Sequence, residues 1–309
     1  MIQVVNKHQK NIAVLMATHN GMKWIDEQIE SILNQINVEV TIFISDDNSD
    51  DGTFDYLCKL EKKNRQIVLL PKEKSLGSAA KNFYYLFSEV NFKGFSYISL
   101  SDQDDIWNKD KLSTHIDLLE KNNAAGVSSN VTAFWANGRK ILIKKSQPQR
   151  MCDFLFEGPG PGCSFLISPW LANKIKYHLK KNTAASKVTL HDWLIYAICR
   201  AYKKKWIISS YPSLRYRQHL SNVLGANVGL KATFNRLRNI TNGWYRNQVC
   251  YVSEVVNEID GSPRFSRFNN IIHQKLNFNQ LHLISFALEG RRRTRERFFL
   301  ILCILLFIF

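Results

Sequence analysis

Phe43-Ile-Ser-Asp-Asp-Asn-Ser-Asp-Asp-Gly52 and Ser99-Leu-Ser-Asp-Gln-Asp-Asp-Ile-Trp107 decide how this chain is read. Each opens on apolar residues and closes on carboxylates: Asp46 and Asp47 in the first, Asp102, Asp104 and Asp105 in the second. Val40–Ile44 and Phe95–Leu100 are short runs, β-branched or aromatic and bounded by turn formers, as expected of strands in a buried sheet. Ligands of open α/β sheets bind outside the carboxyl ends of such strands, so acids placed there are placed to meet a ligand. Asp102 and Asp104 stand at i and i+2 where strand gives way to turn, and both can face one ion. Mg²⁺ and Mn²⁺ prefer oxygen ligands, and Mg²⁺ is commonly held by one or two carboxylates together with phosphates and water. The pattern points to an enzyme acting on a metal-bound, phosphorylated substrate. The plainer alternative is a solvated turn that leads into a helix at Lys109–Lys121.

Working outward, Ile12–Ala17 reads as a strand, followed by Thr-His-Asn-Gly and an amphipathic helix from Trp24 to Asn34. Ile25, Ile29, Ile32 and Leu33 put one apolar stripe of that helix against the sheet. Strand, turn, helix and a second strand ending at Asp46-Asp47 make a βαβ unit. A helix at Thr53–Lys63, a strand at Gln66–Leu70, a turn at Gly77 and a helix at Ser78–Val90 lead to the second acidic cluster. Further on, Gly158-Pro-Gly-Pro-Gly162 is a run that cannot be helical and precedes a strand expected at Cys163–Ile167. Its glycines let the backbone approach a ligand closely.

VLMATHNG, FISDDNSDDGT, GSAAKNF, SLSDQDDIW and LHDWL, taken in order, resemble a family 2 glycosyltransferase of the GT-A fold. The S-D-Q-D-D-x-W spelling and Tyr216-Arg-Gln-His219 are similar to its rhamnosyltransferase-like branch, and the likeness covers about residues 11–225. Ala17 departs from the Pro of many relatives, and His19 from their aromatic residue. The resemblance implies an α/β, Rossmann-like nucleotide-sugar fold with a mixed central sheet and a C-terminal helical, basic extension. It implies that Asp47 binds the nucleotide base in a pocket shaped by Ala17 and His19, with Lys81 and Asn82 near the ribose and diphosphate. It makes Asp104 the main ligand of Mg²⁺ or Mn²⁺ and sends Asp102 to the sugar ring or ribose, while Asp105 caps the following helix.

An acceptor hydroxyl must lose a proton as it attacks the anomeric carbon, which requires a base opposite the departing diphosphate. In the resemblance that base is Asp192 of Leu190-His-Asp-Trp-Leu194, at the start of an apolar helix whose macrodipole favours the ionised carboxylate. A simple N-terminal cap is the alternative. Arg217 is expected at the diphosphate and His219 at the metal, because charge on the leaving group has to be stabilised.

The 309 residues carry 42 basic and 26 acidic side chains, a net charge of +16. Six cysteines lie scattered without C-x-x-C spacing, which suggests no zinc site or disulfide framework and fits a reduced cytoplasm. With no apolar stretch at MIQVVNKHQK, a signal peptide is not expected and a cytoplasmic location is. Two regions are expected, a catalytic domain over 1–229 and a basic helical region over 230–309. In the latter Lys231, Arg236, Arg238, Arg246, Arg264 and Arg267 alternate with Phe234, Trp244, Tyr245 and Phe265. Arg291–Arg297 then precedes the apolar run Phe298–Phe309, too short to span a bilayer but suited to lie on an anionic membrane surface. A helix docked on the core is the alternative.

The expected activity is inverting transfer of rhamnose or a hexose from a dTDP- or UDP-sugar to a hydroxyl of a growing, lipid-linked surface polysaccharide. The site is the inner face of the cell membrane. Two other classes were weighed: a non-catalytic scaffold of a polysaccharide-assembly complex, for which Asp104 and Asp192 have no use, and a nucleic-acid-binding protein. Clustered acids in the cleft repel a polyanion, and no nucleic-acid motif is present.

Overall fold

The computed structural model describes residues 9–71, 75–219 and 238–309. Residues of β1 (Lys10–Thr18) alternate between two cores: Ile12, Val14 and Met16 face one side, Ala13, Leu15 and Ala17 the other. A strand apolar on both faces has to lie inside a sheet covered by helices on both sides. β1 accordingly runs between β2 (Val38–Asp46) and β4 (Tyr97–Ser101), parallel to both, and β2 is parallel to β3 (Ile67–Leu69). The helices α1 (Ile25–Leu33), α2 (Thr53–Lys63) and α3 (Ala79–Glu89) are the crossovers. The expected elements of this half are all present, with ends moved by one or two residues.

Beyond β4 the sheet becomes mixed. Its order is β3-β2-β1-β4-β8-β6-β9-β5, with β7 on β6. Here β5 is Ile106–Trp107, β6 Gly126–Trp135, β7 Lys140–Ile143, β8 Leu166–Ile167 and β9 Trp206–Gln218. The strand expected over Cys163–Ile167 is shorter than anticipated, because Gly162–Ser164 forms a 3₁₀ turn closed by the Phe165 N–H on the Gly162 carbonyl. β6 and β9 pair in parallel with bulges around Asn130, whose side chain fills the gap by bonding Ser210 and the backbone of Lys145 and Ser146.

α1, α2 and α4 (Lys111–Asn122) cover one face of the sheet. The other carries α3, α5 (Pro169–Lys181), α6 (Thr183–Lys187) and α7 (His191–Ala201). α8 (Trp244–Asp260), α9 (Pro263–His273), α10 (Leu283–Ala287) and α11 (Thr294–Leu305) join this second core through Val249, Val252, Phe268, Phe286 and Ile304. The expected boundary at 229/230 and Lys231, Phe234 and Arg236 lie outside the described residues.

The C-terminal run differs from its expectation. Arg292 is buried and Arg291 pairs with Glu157 and Glu296, so these two arginines point into the protein rather than toward a lipid surface. α11 buries Leu300, Cys303 and Ile304 and exposes Phe298, Phe299, Leu302 and Leu305, so it is docked by one side only. Among the described residues no helix is long and apolar enough to cross a membrane.

Gly126 opens β6 where a Cβ would stand 2.3 Å from the ring of Trp206. That ring is fully buried, with Nε1 donating to Ser128 Oγ. Gly126→Ala is expected to destabilise the protein by about 1–3 kcal/mol through overpacking, measured by urea denaturation.

Candidate active site

The register of the parallel strands fixes where the acids meet. Thr18 pairs with Asp46 and Met16 with Ser101, so the chain leaves β1 at His19, β2 at Asp47 and β4 at Asp102 side by side. Asp46 braces this edge, accepting from Thr18 Oγ1 (2.9 Å), Ser49 Oγ (2.6 Å) and Ser49 N (2.9 Å). The Asp47 carboxylate accepts from the N–H groups of Leu76 and Gly77 and from Ser75 Oγ, fastening the loop that precedes α3. His19 is exposed, its Nδ1 2.8 Å from the Asp47 carbonyl.

Gln103 locks the His19 turn from the other side. Its Oε1 accepts the His19 N–H at 2.8 Å and its Nε2 donates to the His19 carbonyl at 2.7 Å. A Cβ on Gly21 would strike the same amide, which explains the glycine. Ala17 lies buried beneath this turn and Lys81 is exposed at the start of α3. Asn82, expected near the diphosphate, is buried instead: its Nδ2 donates to the carbonyls of Thr18 and Ser45 and ties the ends of β1 and β2 together.

The second acidic cluster is assembled by the antiparallel pairing of β5 with β9, Ile106 opposite Arg215. Continued past the strand ends, that register carries Arg217 and His219 to the aspartates. His219 Nε2 stands 2.6 Å from Asp104 Oδ2, and the imidazole stacks on Trp24 with centroids 4.1 Å apart. Arg217 donates from Nε to the Asp104 carbonyl (2.7 Å), and its Nη2 pairs with Glu27. This second tie differs from the expected diphosphate role, because the guanidinium is anchored to α1. Asp105 is not a helix cap. It is fully buried, accepts the Arg217 N–H at 3.0 Å, and leaves Oδ2 without a hydrogen-bond partner.

Dehydration governs the electrostatics. Burial, then the charge of Asp104, pushes the Asp102 carboxyl up to about 7, and burial pushes Asp105 well above the usual carboxylate range. The basic side chain set against them is Lys111, fully buried at the start of α4, with Nζ 3.3 Å from Ser99 Oγ and 3.0 Å from the Trp107 ring centre. Burial holds its ammonium well below the ordinary lysine value, against the opposing pull of Cys163, Asp105 and Asp102.

Asp192 occupies the first turn of α7 and accepts the Trp193 N–H at 2.8 Å. Its carboxyl is pushed up to about 6 by burial, opposed by the Trp193 N–H and by Lys145. Its neighbour His191 packs on Phe83 of α3 with ring centroids 4.1 Å apart, which places this turn beside α3. Gly158 lies against the Trp193 backbone, and Gly162 against His191, so the Gly/Pro run forms a wall beside this turn.

Residues 13–169 match the family described as glycosyl transferase family 2. Over 296 residues the chain is 38% identical to the dTDP-rhamnosyl transferase RfbG of Shigella flexneri, covering 95% of this chain and all of that protein. The chain belongs to glycosyltransferase family 2. Half of it is also 29% identical to UDP-Glc:alpha-D-GlcNAc-diphosphoundecaprenol beta-1,3-glucosyltransferase WfgD of Escherichia coli, over 59% of that protein. Among solved structures, S. aureus TarS 1–349 matches 90% of this chain and 79% of its own (TM-score 0.51, 16% identity). Mannosyltransferase PcManGT from Pyrobaculum calidifontis, solved with GDP-Man and Mn²⁺, matches 92% and 74% (TM-score 0.51, 14% identity). The fold of this glycosyltransferase is therefore GT-A.

The residues of this family 2 enzyme suit a divalent cation. Asp104 Oδ2 and His219 Nε2 form one pair of donor atoms, and, as a separate group, one ligand atom each from Asp102, Asp105 and Cys163 lies within 4.8 Å of the other two. The thiol of Cys163 is fully buried and pushed well above its ordinary value by that burial, so it is the least suited of the set to a hard cation.

Sequence reasoning missed Gln103, Lys111 and Trp24. Gln103 reads as the middle letter of a metal motif, and Lys111 has the sequence signature of any helix-start lysine.

For Asp192 the sign of the pH dependence follows from burial. Its folded value lies above that of an unfolded aspartate, so the wild type loses stability as pH rises from about 4 through about 6. Asp192→Asn does not titrate there. It is expected to melt at a higher temperature than wild type at pH 8, the gap closing toward pH 4, as measured by calorimetry across that range.

Proposed function

We propose that this glycosyltransferase moves rhamnose from dTDP-rhamnose, or a hexose from a related nucleotide sugar, to a hydroxyl of a lipid-linked glycan, with inversion at the anomeric carbon. The identity to RfbG over nearly the whole chain favours a dTDP-rhamnose donor. The name of WfgD, which carries a diphosphoundecaprenol acceptor, favours a lipid-linked one. Such chemistry belongs to the assembly of surface polysaccharides such as O-antigen or capsule.

In this reading the nucleotide base lies against Ala17, His19 and Asp47. Three protein donors already use the Asp47 carboxylate, and about four acceptor sites are available on an ionised one, so an imide N–H takes the last. Lys81 stands at the mouth of the same edge, near the diphosphate. Asp102 reaches the donor sugar or ribose. Asp104 and His219 would hold Mg²⁺ or Mn²⁺, which when bound offsets charge on the departing diphosphate. Arg217, anchored by Glu27 and the Asp104 carbonyl, serves the diphosphate by orienting His219 two residues away.

Asp192 takes the proton of the acceptor hydroxyl. The observation that carries the reading is geometric: Gly162 lies against His191, the residue before Asp192, while Cys163, the residue after Gly162, has its sulfur within 4.8 Å of carboxylate oxygens of Asp102 and Asp105. A proton acceptor pushed up to about 6 is still ionised at neutral pH and more basic than a solvated aspartate.

Peripheral attachment to the inner face of the membrane also fits. Phe278, Phe298, Phe299, Leu302, Leu305 and Leu306 are exposed, and Phe278 meets Phe307 edge to face, which joins α11 to the 3₁₀ turn at Phe278–His282. This apolar area is paired with the exposed guanidinium of Arg293 on a strongly basic chain.

Two measurements test the reading. Asp104→Ala is expected to lose Mn²⁺-dependent binding of dTDP-rhamnose in calorimetry. Asp192→Asn is expected to keep donor affinity while transfer falls by about 10²–10⁴-fold. In the wild type, transfer should rise with pH through about 6 as Asp192 ionises. Wild-type transfer by the Asn variant would refute the assignment of the base.

A further inference from the structure

We propose that Arg292, from the C-terminal arginine run, is a positioning residue of the active site: it holds the Gly158-Pro-Gly-Pro-Gly162 wall against the first turn of α7 and so sets the place of the Asp192 carboxylate. The inference rests on the reading of Asp192 as the base.

Arg292 reaches three acceptors from within the protein, its side chain 1% exposed. Nη2 donates to the Gly158 carbonyl at 2.7 Å and lies 3.3 Å from Glu157 Oε2, while Nη1 bonds Asp153 Oδ2 at 3.2 Å. The Arg292 N–H adds a bond to Glu157 Oε1 at 2.7 Å. Residues 153–158 are thereby fixed from the C-terminal side.

The opposite side of the same segment is fixed to α7. Asp153, with no exposure, accepts from Tyr196 OH (3.0 Å) and from Arg200 Nη1 (3.1 Å). Trp193 Nε1 donates to the Phe154 carbonyl at 2.8 Å. A Cβ on Gly158 would lie 3.4 Å from both N and Cα of Trp193. That nitrogen is the one whose N–H holds Asp192 Oδ1. The path from Arg292 to the carboxylate therefore runs through Asp153 and its neighbour Phe154, whose carbonyl holds the Trp193 ring, to the Trp193 N–H that bonds Asp192.

A buried ion cluster of this kind seldom increases stability over a well-packed apolar one, and its best-attested value is in fixing one arrangement. The fork geometry of the guanidinium suits that use, since a lysine cannot reach a carbonyl and two carboxylates from fixed directions at once.

The test uses the full-length chain carrying Arg292→Met, Arg292→Lys or Glu157→Gln, beside Asp192→Asn. Folding is checked by circular dichroism and melting temperature, donor affinity by calorimetry with dTDP-rhamnose, and kcat by release of the nucleotide diphosphate. For Arg292→Met, kcat is expected to fall about 10- to 100-fold with donor affinity within about twofold of wild type, since a misplaced reacting group costs rate rather than binding. Arg292→Lys should recover part of the loss, and the acidic limb of the pH profile should move in both variants. An unchanged kcat in folded Arg292→Met, or a fall matched by equal loss of donor affinity, overturns the inference. Should Arg292→Met not fold, Glu157→Gln decides by the same criteria. An active Asp192→Asn removes the base reading and this inference with it, whereas an inactive one beside a fully active Arg292→Met removes this inference alone.

Discussion

Three aspartates, at positions 102, 104 and 105, are drawn out of water within one turn of chain, and the repulsion among them is the constraint around which the rest is arranged. Left alone, dehydrated like charges prefer to take up protons. The protein answers with polar groups brought in from other parts of the chain. Lys111 comes from α4 and lies over Trp107. The Arg217 N–H comes from the end of β9. His219 follows two residues later and is steadied by Trp24. None of these is a neighbour of the acids along the sheet edge, so the site exists only when α4, β9 and the α1 turn are all in place.

The same edge shows why a GT-A sheet is mixed at this point. Parallel strands alone end their acids side by side, but they cannot return a basic residue to the cluster from the other direction. The antiparallel β5–β9 pair does that, and its register decides that Arg217 and His219, rather than Arg215, arrive at Asp104 and Asp105.

Much of the first half of the fold was legible in the sequence, because its signals are local. The two-residue alternation of β1 and the apolar stripe of α1 are set by neighbours a few positions away. Asp104 with His219 was also legible, since both residue types carry their chemistry with them. What stayed hidden depends on distant partners. Asp105 reads as a cap because it stands before a helix, and only a strand 112 residues later supplies the N–H it accepts. Asn82 reads as a ligand group until the carbonyls of Thr18 and Ser45 converge on it. The arginine run near the C-terminus reads as a solvated, lipid-facing patch because nothing local shows that Arg292 meets Asp153 and Glu157, and the amphipathic docking of α11 is likewise invisible in twelve uniformly apolar letters.

Arg292 and Asp153 are separated by 139 residues, and this has a bearing on how the protein comes into being. A chain emerging from the ribosome presents the segment at 153–158 with Arg200 close behind it, but long before Arg292 is synthesised. During that interval Asp153 has Tyr196 and Arg200 of α7 as partners and lacks only the guanidinium from the far side. Loop closures of this length are slow to form. The ion cluster is thus completed only after Arg292 has been made, when α7 and the 153–158 segment can already have met.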